Sequence, residues 1–233
     1  MKQIKLAADT SGHVNSLTAS ITVHSVGTTA GGLTGTIQMQ LKPTTLIEAR
    51  FNVPATNSSG IHLDEILTDQ AIYFKDPAFA KTKAGKPWVR VKISELSSKT
   101  GLSFGSLLQN LEGSNPLDQT RLFTASRDVR LVGARTVDGV ATTEYAGSYA
   151  PKTAYAGLSA HLRELLGPSL RSIGTHRVSF HVWIDRQHLI KKADDTESVR
   201  GQTITTTFAV TSVNQPVKVT MPKAGDTAPL PRL

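Results

Sequence analysis

The 233-residue chain contains no cysteine, so it makes no disulfide and offers no thiolate to a metal, and its redox compartment stays open. Aromatic residues are only 6% of the chain, too few for a dense aromatic core. No apolar run approaches the ~18–20 residues that a membrane-spanning helix needs, and no signal-peptide core is present. The opening Met-Lys-Gln-Ile-Lys reads as a start placed on an already mature domain. Histidine pairs at metal-binding spacing are missing too. The seven histidines form no H-E-x-x-H or H-x-H, and His176 and His181 would face opposite sides of a strand. Glu48, Asp64, Glu65 and Glu144 are isolated, with no readable acid–base pairing. No metal and no cofactor is expected.

Charge leans one way. Lys and Arg number 26 against 18 Asp and Glu, a formal charge of +8, which favours acidic partners such as an anionic membrane surface. The basic residues are scattered and no aromatic-interleaved basic motif occurs, so nucleic acid is not an expected partner.

What the chain has in abundance is period-two alternation. In the stretch 33–53, Leu33, Gly35, Ile37, Met39 and Leu41 alternate with Thr34, Thr36, Gln38, Gln40 and Lys42. After a turn at Pro43 and Thr44 the pattern resumes with Ile47, Ala49, Phe51 and Val53. That spacing buries one face of an antiparallel hairpin and wets the other. The same device predicts strands at 17–24, 61–67, 71–75, 87–93, 129–136, 140–148, 177–184, 188–195 and 202–212, with an edge at 217–221. Asp138-Gly139 is a strong two-residue hairpin signal.

Helical spacing is expected in a short segment at 3–15 and between 94 and 127, where Phe104, Leu107, Leu108 and Leu111 share one face before Gly113. Asn115-Pro116 opens a second helix there, reaching about Ser126. A third helix runs from Pro151 to Gly167, with Tyr155, Leu158, Leu162, Leu165 and Leu166 along one side. The economical arrangement is mainly β (α+β): a single curved antiparallel sheet with the helices over its concave face. Residues 1–222 form one domain and 223–233, with three prolines from Pro222 on, a disordered tail.

Several stretches carry a resemblance in a fixed order: AIYFK at 71–75, KPWVRVKISEL at 86–96, Asn115-Pro116, VGARTVDGVATTEYAGSY at 132–149, HVWIDRQHLIKK at 181–192 and QPVKVTMP at 215–222. Together they resemble the actinobacterial envelope lipoproteins of the LppX/LprAFG type, which share their fold with the LolA and LolB lipoprotein carriers. The resemblance implies a LolA-like half-barrel sheet wrapped over helices and enclosing a hydrophobic cavity for acyl chains. It also implies an exported protein on the outer face of the cell membrane, lipid-anchored through an N-terminal cysteine. That cysteine is not in this chain.

The expected lining of a lipid-binding cavity is Ile37, Met39, Leu41, Phe51, Ile61, Leu63, Leu107, Leu111, Leu158 and Leu162; the plainer alternative is that these form a packed core. Lys81, Lys83, Lys86, Arg90 and Lys92 surround Trp88 and suit a membrane-docking patch, or else a solvated strand edge. Gly101-Leu-Ser-Phe-Gly105 matches G-x-S-x-G, but that motif needs an apolar strand before it, and Ser97, Ser98, Lys99 and Thr100 precede it here.

The function expected is non-enzymatic binding, and transport, of a lipid, glycolipid or other amphipathic ligand by a monomer of the cell envelope. A structural or regulatory interaction module with a filled core and an envelope protein partner is the alternative. A serine hydrolase using Ser103 is a weaker one.

Overall fold

Alternation in the sequence becomes strand in space almost wherever it was read. The computed structural model describes residues 1–27, 31–54, 60–75, 85–93, 117, 120–160, 163 and 175–229. Among them are β1 (Ser16–Val26), β2 (Gly31–Gln40), β3 (Leu46–Val53), β4 (Ile61–Thr68), β5 (Ala71–Lys75) and β6 (Trp88–Lys92). There follow β7 (Arg130–Val137), β8 (Val140–Tyr149), β9 (Val178–Asp185), β10 (Ile190–Val199), β11 (Gln202–Val213) and β12 (Thr227–Pro229). Among the described residues helices are few: α1 (Lys2–Ser11), α2 (Pro151–Gly157) and 3-10 turns at Thr120–Ala125 and Ala224–Asp226. The described chain is mainly β, as expected.

The chain divides into two compact units, and β1, β2 and β11 contribute to both. The first holds Met1–Val14, Ile21–Gly32 and Gln109–Thr211. Its strands are hydrogen-bonded in the order β1-β11-β10-β9-β8-β7. β7 and β8 meet at Asp138 (φ 47°) and Gly139 (φ 78°), the two left-handed residues that a twist-matched two-residue hairpin requires. Along β9, Val178, Phe180, Val182 and Ile184 are all buried while Ser179 is exposed.

Phe123, from the 3-10 turn, stacks on Phe180 with ring centroids 4.2 Å apart, and Tyr149 joins at 6.4 Å from Phe180. Gly147 makes this possible, because a Cβ there would lie 2.8 Å from both the Phe180 ring and Ser126 Oγ. Helix α1 buries Ile4, Ala7, Ala8 and Ser11, one face at helical spacing, and stops at Gly12.

The second unit holds Asn15–Ser20, Leu33–Leu108 and Ser212–Leu233, ordered β12-β6-β5-β4-β3-β2-β1. Consecutive strands from β2 to β6 are antiparallel neighbours, the expected meander.

Three expectations change. The helix expected from Pro151 to Gly167 is interrupted: α2 ends at Gly157, and Leu158 is extended (φ −76°, ψ 149°). Glycine at the end of a single-stripe helix supplies a natural stop. Residues 217–221 form no strand. In place of a disordered tail, the segment after Pro222 makes a 3-10 turn and then β12, which runs parallel to β6 with Thr227 opposite Trp88 and Pro229 opposite Arg90. Pro229 is tolerated because a sheet edge does not need its missing N–H.

Candidate functional site

Cross-strand register brings the alternating residues of the second unit onto one face in successive rows. The first row is Met39, Ile47, Leu67, Ile72 and Val91. The second is Ile37, Ala49, Glu65, Phe74 and Val89. Gly35, Phe51 and Leu63 make the third, and Val53 with Ile61 the fourth. Exposure rises from row to row along β2 and β4, while Val91 and Val89 on β6 are both buried. Met39 and Leu67 are 1% exposed, Ile37 8%, Phe51 and Leu63 half-buried, and Ile61 55%. The result is an aliphatic surface, closed at one end and open at the other. Gly35 sits under Phe51; a Cβ there would lie 2.5 Å from the ring and 2.6 Å from the Arg50 carbonyl, so only glycine lets the ring lie flat across β2.

The one carboxylate in these four rows is Glu65, between Ala49 and Phe74, and burial pushes its pKa up. Sequence reading took Glu65 as an isolated carboxylate. Its parity with Ile61, Leu63 and Leu67 was the available signal.

Of the expected lining, Ile37, Met39, Phe51, Ile61 and Leu63 thus share this face. Leu41 lies just past β2, with its N–H donating to the Asn15 carbonyl at 2.8 Å. Leu158 belongs to the first unit, where it is buried behind α2. Leu107, Leu111 and Leu162 lie outside the described residues, as do Ser103, Lys81 and Lys83. Lys86 donates to the Thr227 carbonyl at 3.3 Å, and Trp88 lies beside Lys75, whose Nζ is 6.0 Å from its ring centre.

The first unit carries its own acidic pair. Asp195 and Glu197 share a face of β10 with Phe180 and Val178, their partners on β9. Asp195 Oδ1 and Glu197 Oε2 are buried without a hydrogen-bond partner among the described residues. Burial first, then the charges of Asp194 and Glu197, push the Asp195 carboxyl up to about 7. Burial also raises Glu197 and, together with the charges of Asp195 and Glu197, the Tyr149 phenol.

Nearby in this unit a cleft of about 460 Å³ is lined by Arg127, Asp128, Ser148, Tyr149, Thr153, His176 and Arg177, among others. Asp128 accepts from Ser126 Oγ, from Ser148 N and Oγ, and from Arg177 at 2.7 Å. Those hydrogen bonds, led by the Ser148 hydroxyl, hold its carboxyl down to about 2. On the opposite face of β8 and β9 from Phe180, Glu144 takes Arg135 at 3.0 Å and His181 Nδ1 at 2.7 Å. Among the described residues no cluster of three or more metal-ligating side chains occurs.

No family model matches the chain. An uncharacterized 31.2 kDa protein of the rplA–rplJ intergenic region of Streptomyces griseus is 27% identical over 172 residues, covering 68% of this chain and 55% of that protein. A candidate lipoprotein of Streptomyces coelicolor is 24% identical over 199 residues, covering 84% of this chain and 60% of its own length. The chain therefore spans less than two thirds of the curated relatives it matches. Among solved structures, LprF from Mycobacterium bovis aligns with a TM-score of 0.59 at 13% identity, over 95% of both chains. Lipoprotein LppX from Mycobacterium tuberculosis aligns with a TM-score of 0.50 at 16% identity, over 94% of this chain and 97% of that one. At such identities the likeness speaks for the fold. The chain has an LprF/LppX-type fold, in keeping with the resemblance that its ordered sequence motifs carry.

Proposed function

We propose that this chain is a non-enzymatic domain of the cell envelope that holds, and passes on, a lipid or other amphipathic ligand. The observation that carries the reading is the graded aliphatic face of the second unit, from buried Met39 to exposed Ile61. Moving an acyl chain from bilayer to water costs about 0.8 kcal/mol per methylene, on the order of 12 kcal/mol for sixteen carbons. A carrier must return most of that with aliphatic wall, and rows of Ile, Leu, Val and Met supply it without any chemical step. Glu65 would meet the first polar group of the ligand, as a hydrogen-bonding partner within an otherwise apolar wall. The LprF/LppX-type fold supports the same reading, as does the name lipoprotein borne by one of those structures and by one relative.

In the finer form of this proposal, helices cover the aliphatic face of the second unit and complete the cavity. Leu41, just past the end of β2, would extend this lining, and Leu107 would add to it. The protein would work outside the cell membrane, anchored in its precursor, with Lys81, Lys83, Lys86 and Trp88 against anionic headgroups.

A second reading, an interaction module, is favoured by one observation. β7 ends the strand order, and its Leu131 and Val132 are 66% and 39% exposed, an apolar edge of the kind that recruits a partner strand.

Uptake of a fluorescent fatty acid separates the two. Phe51→Asp and Ile61→Asp should abolish uptake with the fold intact by circular dichroism, whereas Leu131→Asp should leave it unchanged. Undiminished uptake by both of the first two variants would sink the carrier reading on this face.

A further inference from the structure

The C-terminal segment builds a second recessed site, on the face of β5 and β6 turned away from the aliphatic rows. Pro222, Ala224, Thr227, Ala228 and Pro229 fold back beside Tyr73, Arg90 and Lys92, and together they line a cleft of about 360 Å³. Its frame is well tied: Thr227 Oγ1 donates to the Lys223 carbonyl at 2.8 Å, and Lys86 Nζ donates to the Thr227 carbonyl. Register places Tyr73, Arg90 and Pro229 in one cross-strand row.

Within this row the Arg90 guanidinium lies 5.7 Å from the Tyr73 ring centroid, a cation–π contact that fixes its orientation. Yet Arg90 Nε is buried and has no hydrogen-bond partner among the described residues. A guanidinium N–H removed from water and left without an acceptor is a cost that folding alone does not recover. Among the described residues the lining holds two cations and no carboxylate, and the remainder is tyrosine, proline, alanine and threonine. Asp226, in the same turn, is not part of the lining.

We propose that this cleft is a binding site for an organic oxyanion, a phosphate ester or carboxylate carrying a small apolar group. The anion accepts from the terminal N–H groups of the Arg90 guanidinium, in the forked geometry that guanidinium offers to such groups, and the buried Nε–Hε beside them senses the bound charge. The apolar part lies against Pro222, Pro229 and Ala224. The site stands apart from the aliphatic face and does not depend on the carrier reading. The oxyanion belongs either to a soluble molecule or to a lipid headgroup, and both present the same atoms to Arg90.

The test is a titration of the whole chain at low ionic strength, with phenyl phosphate and benzoate as soluble probes. Vesicles of phosphatidylglycerol, with phosphatidylcholine vesicles as control, serve for the headgroup source. The Arg90 Nε–Hε resonance reports the wild-type protein directly, and calorimetry gives the affinity. The expected result is a saturable shift of that resonance, with binding weakened about tenfold or more in Arg90→Gln and also, through loss of the fork, in Arg90→Lys. Arg90-dependent binding of a soluble probe assigns a soluble ligand. Arg90-dependent binding of anionic vesicles alone assigns the headgroup. Should Arg90→Gln fail to fold, Tyr73→Leu replaces it and should weaken binding severalfold. The proposal is overturned if no probe moves the Nε–Hε resonance, or if Arg90→Gln binds as tightly as wild type.

Discussion

Replacing Asp195 by asparagine removes one ionisable group from the buried face of β10 while keeping its shape. Asp195 retains some accessible surface as a residue, but its Oδ1 has essentially none and no partner among the described residues. Its carboxyl titrates at about 7 in the folded protein, against roughly 3.9 unfolded. The sign follows directly. Between those values the folded state binds the proton more tightly than the unfolded state, so stability falls as pH rises. The stabilising contribution is complete below about pH 4 and gone once pH has passed about 7. From pH 5 to pH 8 about two units of the difference are traversed, at ~1.4 kcal/mol each, for a loss of roughly 2.7 kcal/mol as an upper bound.

Asparagine does not titrate, so whatever its amide costs is the same at both pH values. Urea unfolding of both proteins at pH 5, 6, 7 and 8 therefore isolates the ionisation as a double difference. The wild type should lose about 1–3 kcal/mol more than Asp195→Asn over that range. Parallel curves, agreeing within about 0.5 kcal/mol, would refute the burial argument.

Asp128 carries the opposite sign. Its carboxyl is held at about 2 by Ser148 and Ser126, so its contribution is present above about pH 4 and is lost as pH falls toward 2. Asp128→Asn should flatten the acid limb of a thermal-denaturation series, and an unchanged limb would remove Asp128 from the account. Gly35→Ala should cost about 1–3 kcal/mol in urea unfolding, because the added carbon meets the Arg50 carbonyl and Phe51 at distances that backbone must yield to. Met39→Ala should cost about 2–5 kcal/mol as a core truncation. Ile61→Ala should cost less than about 1 kcal/mol of stability yet weaken fatty-acid uptake; equal stability losses at the two positions would show that the face is uniformly core.

How much of this was legible beforehand depends on the interaction that decides each element. One-faced strands are dictated by side chains two residues apart, so β1 to β11 could be read to within a few residues. Asp138-Gly139 fixed its hairpin because few dipeptides take two left-handed conformations cheaply. β12 escaped because Thr-Ala-Pro has no alternation to read. Its pairing with β6 is a contact 139 residues away, Thr227 opposite Trp88, and a proline-rich end looks unstructured without that partner.

The helix from Pro151 stops at Gly157, where the apolar stripe continued in sequence past the residue that ends it. For the site, Ile37, Met39, Phe51, Ile61 and Leu63 were chosen by parity alone, and register places them on one face. Which of them is core and which is open surface was not legible, since that depends on row position across four strands. Glu65 was passed over because a carboxylate was sought with a partner, whereas its significance lies in having apolar neighbours. Asp195 and Glu197 were invisible for the same reason.

Native mass spectrometry of the freshly purified chain, followed by solvent extraction of the same sample, tests the carrier reading most directly. The account predicts a bound amphipathic mass at a fixed stoichiometry, recovered in the extract and diminished in Phe51→Asp. A protein that arrives empty and also takes up no fatty acid would contradict it, leaving the rows from Met39 to Ile61 as core and exposed rim only.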